Sequence, residues 1–417
     1  MKVVETSSGS PFSNREFDLA IFVDNHVAGG VATFLETLLP RLTQQESPSL
    51  LIINREHPGL PKLVEALPRS VELIVYTSPL GLPFFTRVGL SWRLSGIEKL
   101  SGAVRRVLEY FLLIIESLQM RRLVPLRSNQ RVLIINGGYP GSYLALAAVF
   151  AWAKHCVIYL NCHSLAAKRS RLGRAFEKCL DLALARRVSL VIANSFTTQT
   201  SLQLRFGDDS PDLSFVYNAI EVPSSRDTSH QSISGVLSQP VLGLIAVLEP
   251  RKGHLFALKL LKKLNENRCS NPAVLKIIGP DPYNFGSTIK ESVSALRLSG
   301  MVQIVGQLAK EDIYRGLDLV IVPSEQDESF GLVAIESLSR AIPVVASSVG
   351  AIPEVLTGSP NASVVEGWNL EDWIAAIEYR LDQSLSVGFK KEDARLSRFV
   401  DPDQMVSEFK ALMGIAG

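Results

Sequence analysis

Along the chain, short apolar runs alternate with stretches in which apolar positions recur every three or four residues, the pattern of a strand followed by a helix. In the first half FDLAIFVD (17–24), SLLIIN (49–54), VELIVYT (71–77), RVLIIN (131–136), HCVIYLN (155–161), LVIANS (190–195) and LSFVYN (213–218) are of strand length, and most end at Asn, Asp, Ser or Thr. VLGLIAVL (241–248), VLKIIG (274–279), VQIVG (302–306), DLVIVPS (318–324), IPVVASS (342–348) and ASVVE (362–366) repeat the theme. Such alternation predicts an α/β fold of parallel sheets covered by helices. Between the halves lies a Ser-rich segment with Pro at both ends, EVPSSRDTSHQSISGVLSQP, which reads as a linker. The expected organisation is a disordered lead-in over 1–16, a Rossmann-like domain over 17–222, a linker over 223–240, a second such domain over 241–397 and a terminal helix within 398–417. Ligands of open α/β sheets bind outside the C-terminal ends of the strands, so two doubly wound domains facing a central cleft put the chemistry in the loops after the strands.

Size and composition agree with two cores. A chain of 417 residues with 47% hydrophobic residues exceeds what one core ordinarily serves. The formal charge of +2 supplies no global field for nucleic acid. Cys156, Cys162, Cys179 and Cys269 form no CxxC pair, which suggests free thiols in a reducing compartment. The polar start MKVVETSSGSPFSNRE has no apolar core of a signal peptide, and the apolar run Tyr143 to Trp152 is too short to span a bilayer; it reads as a buried helix.

The loop after DLVIVPS is EQDESFG, and it leads straight into the helical LVAIESLSR. Glu328 lies just before that helix and Glu336 a turn and a half into it. The N–H groups of a helix start form an anion site suited to phosphate, with Gly331 allowing close approach, and a carboxylate accepts hydrogen bonds from paired sugar hydroxyls. The alternative is that Glu328 only complements the helix dipole and Glu336 is solvated. Upstream, EPRKGH places Arg251 and Lys252 at a turn before a basic amphipathic helix, where they can neutralise a diphosphate or serve as an ordinary solvated turn. The loop in IIGPDPYNFG lies at the same sheet edge, where a nucleotide base could stack or hydrogen-bond.

Together these residues resemble the GT-B glycosyltransferases, most closely glycosyltransferase family 4, from about Phe17 to the C-terminus. The strongest portion is RGLDLVIVPSEQDESFGLVAIESLSRAIPVVASSVGAIPEVL; VAGGVATFLETLL, CHS, VIANS, VYNAIEV and EPRKGH are weaker matches in the family's order. The resemblance implies a retaining, metal-independent hexosyltransferase that needs no cofactor beyond its nucleotide-sugar co-substrate. It implies that Glu336 binds the ribose, that Glu328 with the backbone of Ser329, Phe330, Gly331 and Leu332 holds the sugar and distal phosphate, and that Lys252 contacts the diphosphate. His163 would lie near the donor sugar, and Gly29 and Gly30 would let their loop approach the donor. Asp24 and His26, in the same loop, are candidates for the acceptor side. Gly137 and Gly138 form a similar loop, read as structural. The terminal helix would cross back to the first domain, making a hinge for closure.

Two departures stand out. Relatives carry Gly-Arg where this chain has Ala246 and Val247, a position where Arg251 is the substitute at hand. The glycine common before the PVV strand is Ala341, expected to affect packing alone.

The acceptor is less legible. Between Arg87 and Arg131 nine basic residues stand against three acidic ones, interleaved with aromatic and aliphatic residues. The stretch suits an anionic membrane surface and a lipid-linked or glycan acceptor, with the protein cytoplasmic and peripheral on the inner face of the membrane; it equally suits a helix packed on the sheet with solvated basic ends. A non-catalytic sugar-nucleotide or glycan-binding protein is the second function class. The lack of G-x-G-x-x-G after a strand disfavours a Rossmann oxidoreductase, and a glycosidase using the two glutamates would need neither the Lys-Gly turn nor a second domain.

Overall fold

The computed structural model describes residues 3–5, 17–24, 30–43, 49–54, 64–68, 70–76, 113–122, 124, 126, 130–136, 143–152, 156–161, 178, 181–222, 239–326, 328–386 and 395–415. The chain divides into two compact units, one of Met1–Val27, Val31–Tyr217 and Asp403–Gly417, the other of Ala28–Gly30 and Asn218–Pro402.

In the first unit the described strands are β1 (Val3–Glu5), β2 (Leu19–Asp24), β3 (Ser49–Asn54), β4 (Val71–Tyr76), β5 (Arg131–Asn136), β6 (Cys156–Asn161), β7 (Leu190–Ala193) and β8 (Asp212–Phe215). They form one parallel sheet in the order β1-β4-β3-β2-β5-β6-β7-β8. Central strands are apolar on consecutive positions because both faces are covered: Ala20, Ile21, Phe22 and Val23 are all fully buried. Phe22 meets Tyr76 and Trp152 edge-on, at 6.4 and 5.9 Å between ring centres. Helix α1 (Gly30–Leu42) and the wholly apolar α2 (Tyr143–Ala151) bury their sides in this unit, α2 as the buried helix expected of that run. Helix α3 (Phe196–Phe206) starts at Ser195, whose Oγ accepts from the N–H of Thr198 at 3.1 Å and so closes the N-cap.

One expectation is corrected here. The lead-in over 1–16 is not uniformly without structure, since Val3–Glu5 extend the sheet as β1, with Val3 opposite Leu73. An edge strand of three residues is too short for hydrophobic periodicity to reveal; what places it is the unpaired backbone edge of β4.

In the second unit β9 (Val241–Ile245), β10 (Val274–Ile278), β11 (Val302–Gly306), β12 (Leu319–Val322), β13 (Val344–Ser347) and β14 (Ala362–Val365) form a parallel sheet in the order β11-β10-β9-β12-β13-β14. Its helices are α4 (His254–Asn267), α5 (Gly286–Ala295), α6 (Leu332–Ser339), α7 (Ile352–Leu356) and α8 (Leu370–Ser386). Leu258, Leu261 and Leu264 of α4 and Trp373 and Ile377 of α8 close the core over β9, β10 and β12.

The second sheet reverses its winding once. The chain runs outward from β9 through β10 to β11, then returns to the other side of β9 as β12. The crevice at the C-terminal ends of β9 and β12 is therefore the topological switch point, where such sheets bind ligands. In the first unit the same reversal falls between β2 and β5, where Asp24 pairs in register with Asn136.

The last helix, α9 (Pro402–Met413), groups with the first unit from Asp403 onward. Phe409 packs against Phe34 of α1 at 6.4 Å, and Arg41 pairs with the exposed Asp403 at 3.2 Å. Residues 398–402, which the sequence assigns to the crossing helix, belong to the second unit: the N–H of Ile220 donates to Phe399 O at 2.8 Å, and the Phe399 ring lies edge-on to Phe330 at 5.6 Å.

Ala341 also requires a correction. It follows α6 with φ at 62°, and the N–H groups of Ala341 and Ile342 return to the carbonyls of Leu338 and Ser337, which is a Schellman turn. The side chain is exposed. The consequence of alanine in place of glycine is thus a left-handed backbone cost of about 1 kcal/mol rather than a change in packing.

Candidate functional site

The site begins where β9 ends. Pro250–Lys252 make one turn of 3-10 helix with proline at its start, and Gly253 closes it at φ 70°. Only a residue without Cβ fits there, because a Cβ would stand 1.8 Å from the carbonyl oxygen of Pro323 in the loop after β12. The two loops are also stitched by the N–H of Glu325, which donates to Arg251 O at 2.8 Å. This close approach brings Lys252 to Glu328, 76 positions on, and the ammonium donates to the carboxylate Oε1.

Ser324 Oγ donates to the same oxygen at 2.6 Å. The Glu328 backbone is held as well: its carbonyl accepts from the N–H of Ala351 at 2.8 Å. Gly350, at φ 56°, lies so close that a Cβ would come within 2.1 Å of that carbonyl oxygen. With side chains only 16% and 15% exposed, Lys252 and Glu328 form a largely desolvated ion pair. Burial alone would raise the Glu328 pKa; the charge and hydrogen bond of Lys252, the Ser324 hydroxyl and the nearby Arg251 outweigh it and hold the carboxyl below its ordinary range.

Three residues on, Gly331 caps α6 at φ 94° with no side-chain cap. The first N–H groups of a helix have no partner inside it, and the dipole adds positive potential there. Glu336, on the second turn, accepts through Oε2 from the Tyr314 hydroxyl at 2.5 Å. Arg340 donates to the Glu336 carbonyl at 2.8 Å and lays its guanidinium over the Tyr314 ring at 4.4 Å. Burial first, then the Glu336 charge and hydrogen bond, push the Tyr314 hydroxyl well above its usual pKa, so it stays protonated as a donor.

Around these two carboxylates, Arg251 pairs with Glu249 at 2.7 Å, and the half-exposed Tyr283 lies in the loop after β10. His254 opens α4 fully buried, with Nδ1 3.2 Å from Glu249 O. A carbonyl only accepts, so Nδ1 carries the proton; Nε2 is buried without a hydrogen-bond partner among the described residues. Desolvation dominates and lowers its pKa from 6.5 to about 4, with Lys252 acting in the same direction and the Glu249 carbonyl and Asp281 opposing.

A histidine with a depressed folded-state pKa stabilises the protein fully above the unfolded value. That stability is lost as pH falls from about 6.5 to about 4, by up to about 3 kcal/mol, because the unfolded chain takes up the proton first. The expected result is that the melting-temperature gap between the protein and His254→Gln narrows steadily between pH 7 and pH 4. A gap independent of pH would contradict it.

The structure thus brings Lys252 and Glu328 into contact and sets Ser329, Gly331, Leu332 and Glu336 around one helix start. Phe330 is buried against Phe399, so its side chain acts through packing. Arg251, the substitute expected for the arginine that Val247 lacks, is already paired with Glu249. Asp24 ends β2 and Gly30 opens α1, while His26, Gly29, Gly137, Gly138 and His163 lie outside the described residues, as do most of 87–131 and the linker to residue 238. Sequence reasoning missed Ser324, Tyr314, Gly350, Glu249 and His254. Glu249 and His254 lie within EPRKGH, and Ser324 and Gly350 within the longest stretch that carries the resemblance, which is the signal that could have found them.

Residues 225–398 match the family profile of glycosyl transferases group 1, and Lys252, Glu328 and Glu336 fall inside the match. This segment is a group 1 glycosyltransferase domain. The group 1 domain accounts for the parallel sheet and the switch-point loops of the second unit, and the whole chain has the GT-B fold. It is similar over 96% of its length to the structure of Anabaena Alr3699/HepE in complex with UDP and glucose (TM-score 0.69, 17% identity, 100% of that chain). It is also similar over 95% of its length to sucrose-phosphate synthase from Thermosynechococcus elongatus (TM-score 0.66, 15% identity, 98% of that chain). In sequence it is 30% identical over 183 residues to the D-inositol 3-phosphate glycosyltransferase of Mycolicibacterium smegmatis, 42% of this chain and 38% of that protein. The corresponding protein of Rhodococcus erythropolis is 27% identical over 199 residues, 45% of each chain. Both alignments cover less than half of those relatives' length.

Proposed function

We propose that the protein is a retaining glycosyltransferase that moves a hexose from a nucleoside diphosphate sugar to a glycan or lipid-linked acceptor in surface polysaccharide or glycolipid synthesis. The observation that carries this reading is the Lys252–Glu328–Ser324 cluster at the start of α6, set at the topological switch point of the group 1 domain. Lys252 and the N–H groups of the first turn are fixed positive ends that meet the charge growing on the departing diphosphate as the glycosyl–oxygen bond breaks. Glu328 accepts from sugar hydroxyls, Glu336 from the ribose. With this charge supplied by the chain, the proposed step takes no divalent ion. Attack on the same face as departure keeps the anomeric configuration without a covalent intermediate, and His163, Gly29 and Gly30 are assigned to positioning donor and acceptor.

A lipid-linked acceptor is supported by helical residues 113–122. Leu113, Glu116 and Met120 are buried, and Tyr76 donates to the Glu116 carboxylate, whereas Ile114, Leu118, Arg121 and Arg122 face solvent. Apolar side chains beside a basic helix end suit an anionic membrane surface. No helix among the described residues is long and apolar enough to cross a membrane. The names of the inositol 3-phosphate relatives add a polyol phosphate to the acceptors worth testing.

The engagement of Arg251 by Glu249 favours one second reading, a binding protein with weakened hold on the diphosphate. A panel of UDP-, GDP-, ADP- and dTDP-sugars, followed by thermal shift and by slow donor hydrolysis without acceptor, separates the two. The expected result is one selective shift, with hydrolysis that disappears in Glu328→Ala. A shift with no hydrolysis would establish the binding protein, and no response to any nucleotide sugar would remove the function proposed.

A further inference from the structure

We propose that Tyr314 is a positioning residue for Glu336, orienting its carboxylate so that the protein distinguishes a ribonucleotide donor from one lacking ribose hydroxyls. The inference rests on the proposed contact between Glu336 and the ribose.

The geometry is specific. Tyr314 is 5% exposed, lies just before β12 and donates its hydroxyl to Glu336 Oε2 at 2.5 Å. Arg340, one turn beyond Glu336 on α6, covers the ring at 4.4 Å while holding the Glu336 carbonyl at 2.8 Å. Ring, guanidinium and helix backbone therefore close a small circuit around one carboxylate.

A free glutamate side chain samples several rotamers, and binding a diol would cost the entropy of selecting one. Here that choice is already made, with Oε2 committed to Tyr314 and Oε1 left as the principal acceptor for an incoming hydroxyl pair. A charge-assisted hydrogen bond is also among the stronger kinds, so its loss leaves both orientation and charge distribution altered.

The test compares UDP, GDP and ADP with their 2′,3′-dideoxy counterparts by titration calorimetry on the full chain. The wild-type protein is expected to prefer the ribo form of at least one pair. Tyr314→Phe is expected to weaken that ribo form by about 3- to 10-fold while leaving its dideoxy counterpart unchanged, so that the preference shrinks. A purely structural role would weaken both forms alike, and that outcome overturns the inference. In a Glu336→Ala background Tyr314→Phe is expected to have no further effect, because it acts through the carboxylate.

Arg340→Met, which removes the guanidinium and leaves the hydroxyl in place, carries the test if Tyr314→Phe does not fold. It should reduce the same preference, and an unchanged preference would count against the circuit. If wild-type protein binds a nucleotide yet shows no ribo preference in any pair, the ribose assignment of Glu336 fails and this inference with it. If the preference exists but survives Tyr314→Phe intact, the inference alone fails.

Discussion

Lys252→Met is expected to lower kcat/KM for sugar transfer by about 10²- to 10³-fold, the scale on which removal of one preorganised charge partner acts in a transition state. It should also destabilise the second unit. Lys252 and Glu328 are both largely withdrawn from water, and removing one member of such a pair strands the other, at about 3–5 kcal/mol where burial is complete. The 15% exposure of Glu328 and its bond to Ser324 place the expected cost toward the lower end. Chemical denaturation monitored alongside initial rates separates the effects, and the double variant Lys252→Met/Glu328→Gln should recover stability without recovering transfer. Full kcat/KM in the single variant would remove Lys252 from the leaving-group site.

The second large effect is a division of labour between the glutamates. Glu336→Ala is expected to weaken nucleoside diphosphate binding by about 10-fold or more, since a charge-assisted contact contributes about 1.5–3 kcal/mol. Glu328→Ala should leave that binding intact or strengthen it, while depressing kcat for transfer by about 10²-fold. The structure gives a reason for the asymmetry: Glu328 occupies the Lys252 ammonium, so its removal frees a cation for phosphate, whereas Glu336 engages Tyr314. Calorimetry with the free nucleotide and rates with the sugar donor are the paired measurements. Equal loss of nucleotide affinity in both variants would contradict the assignment.

Sequence reasoning reached the strands because their cause is local. β5, with its run Val132–Ile135 buried on both faces, and β12 in the second unit have to be apolar at consecutive positions, a signal that survives without any knowledge of neighbours. The Pro250 turn, the glycine after Lys252 and the glycine before α6 were legible for the same reason, since each answers to backbone geometry within a few residues. β1 was not legible, being three residues that are a strand only because β4 offers an edge. Nor was the conformational cost at Ala341, which arises from the turn it closes.

By itself, then, the sequence determined a two-part α/β chain, the loops that follow its strands, and which charged residues stand at the start of α6. Tertiary structure alone decided who meets whom. Lys252 and Glu328 are 76 positions apart and touch because β12 returns beside β9, and Tyr314 reaches Glu336 across 22 positions. Strand order is set by how helices and sheet share one core, a collective property of the packed chain, so no local pattern of residues encodes which loops will be neighbours.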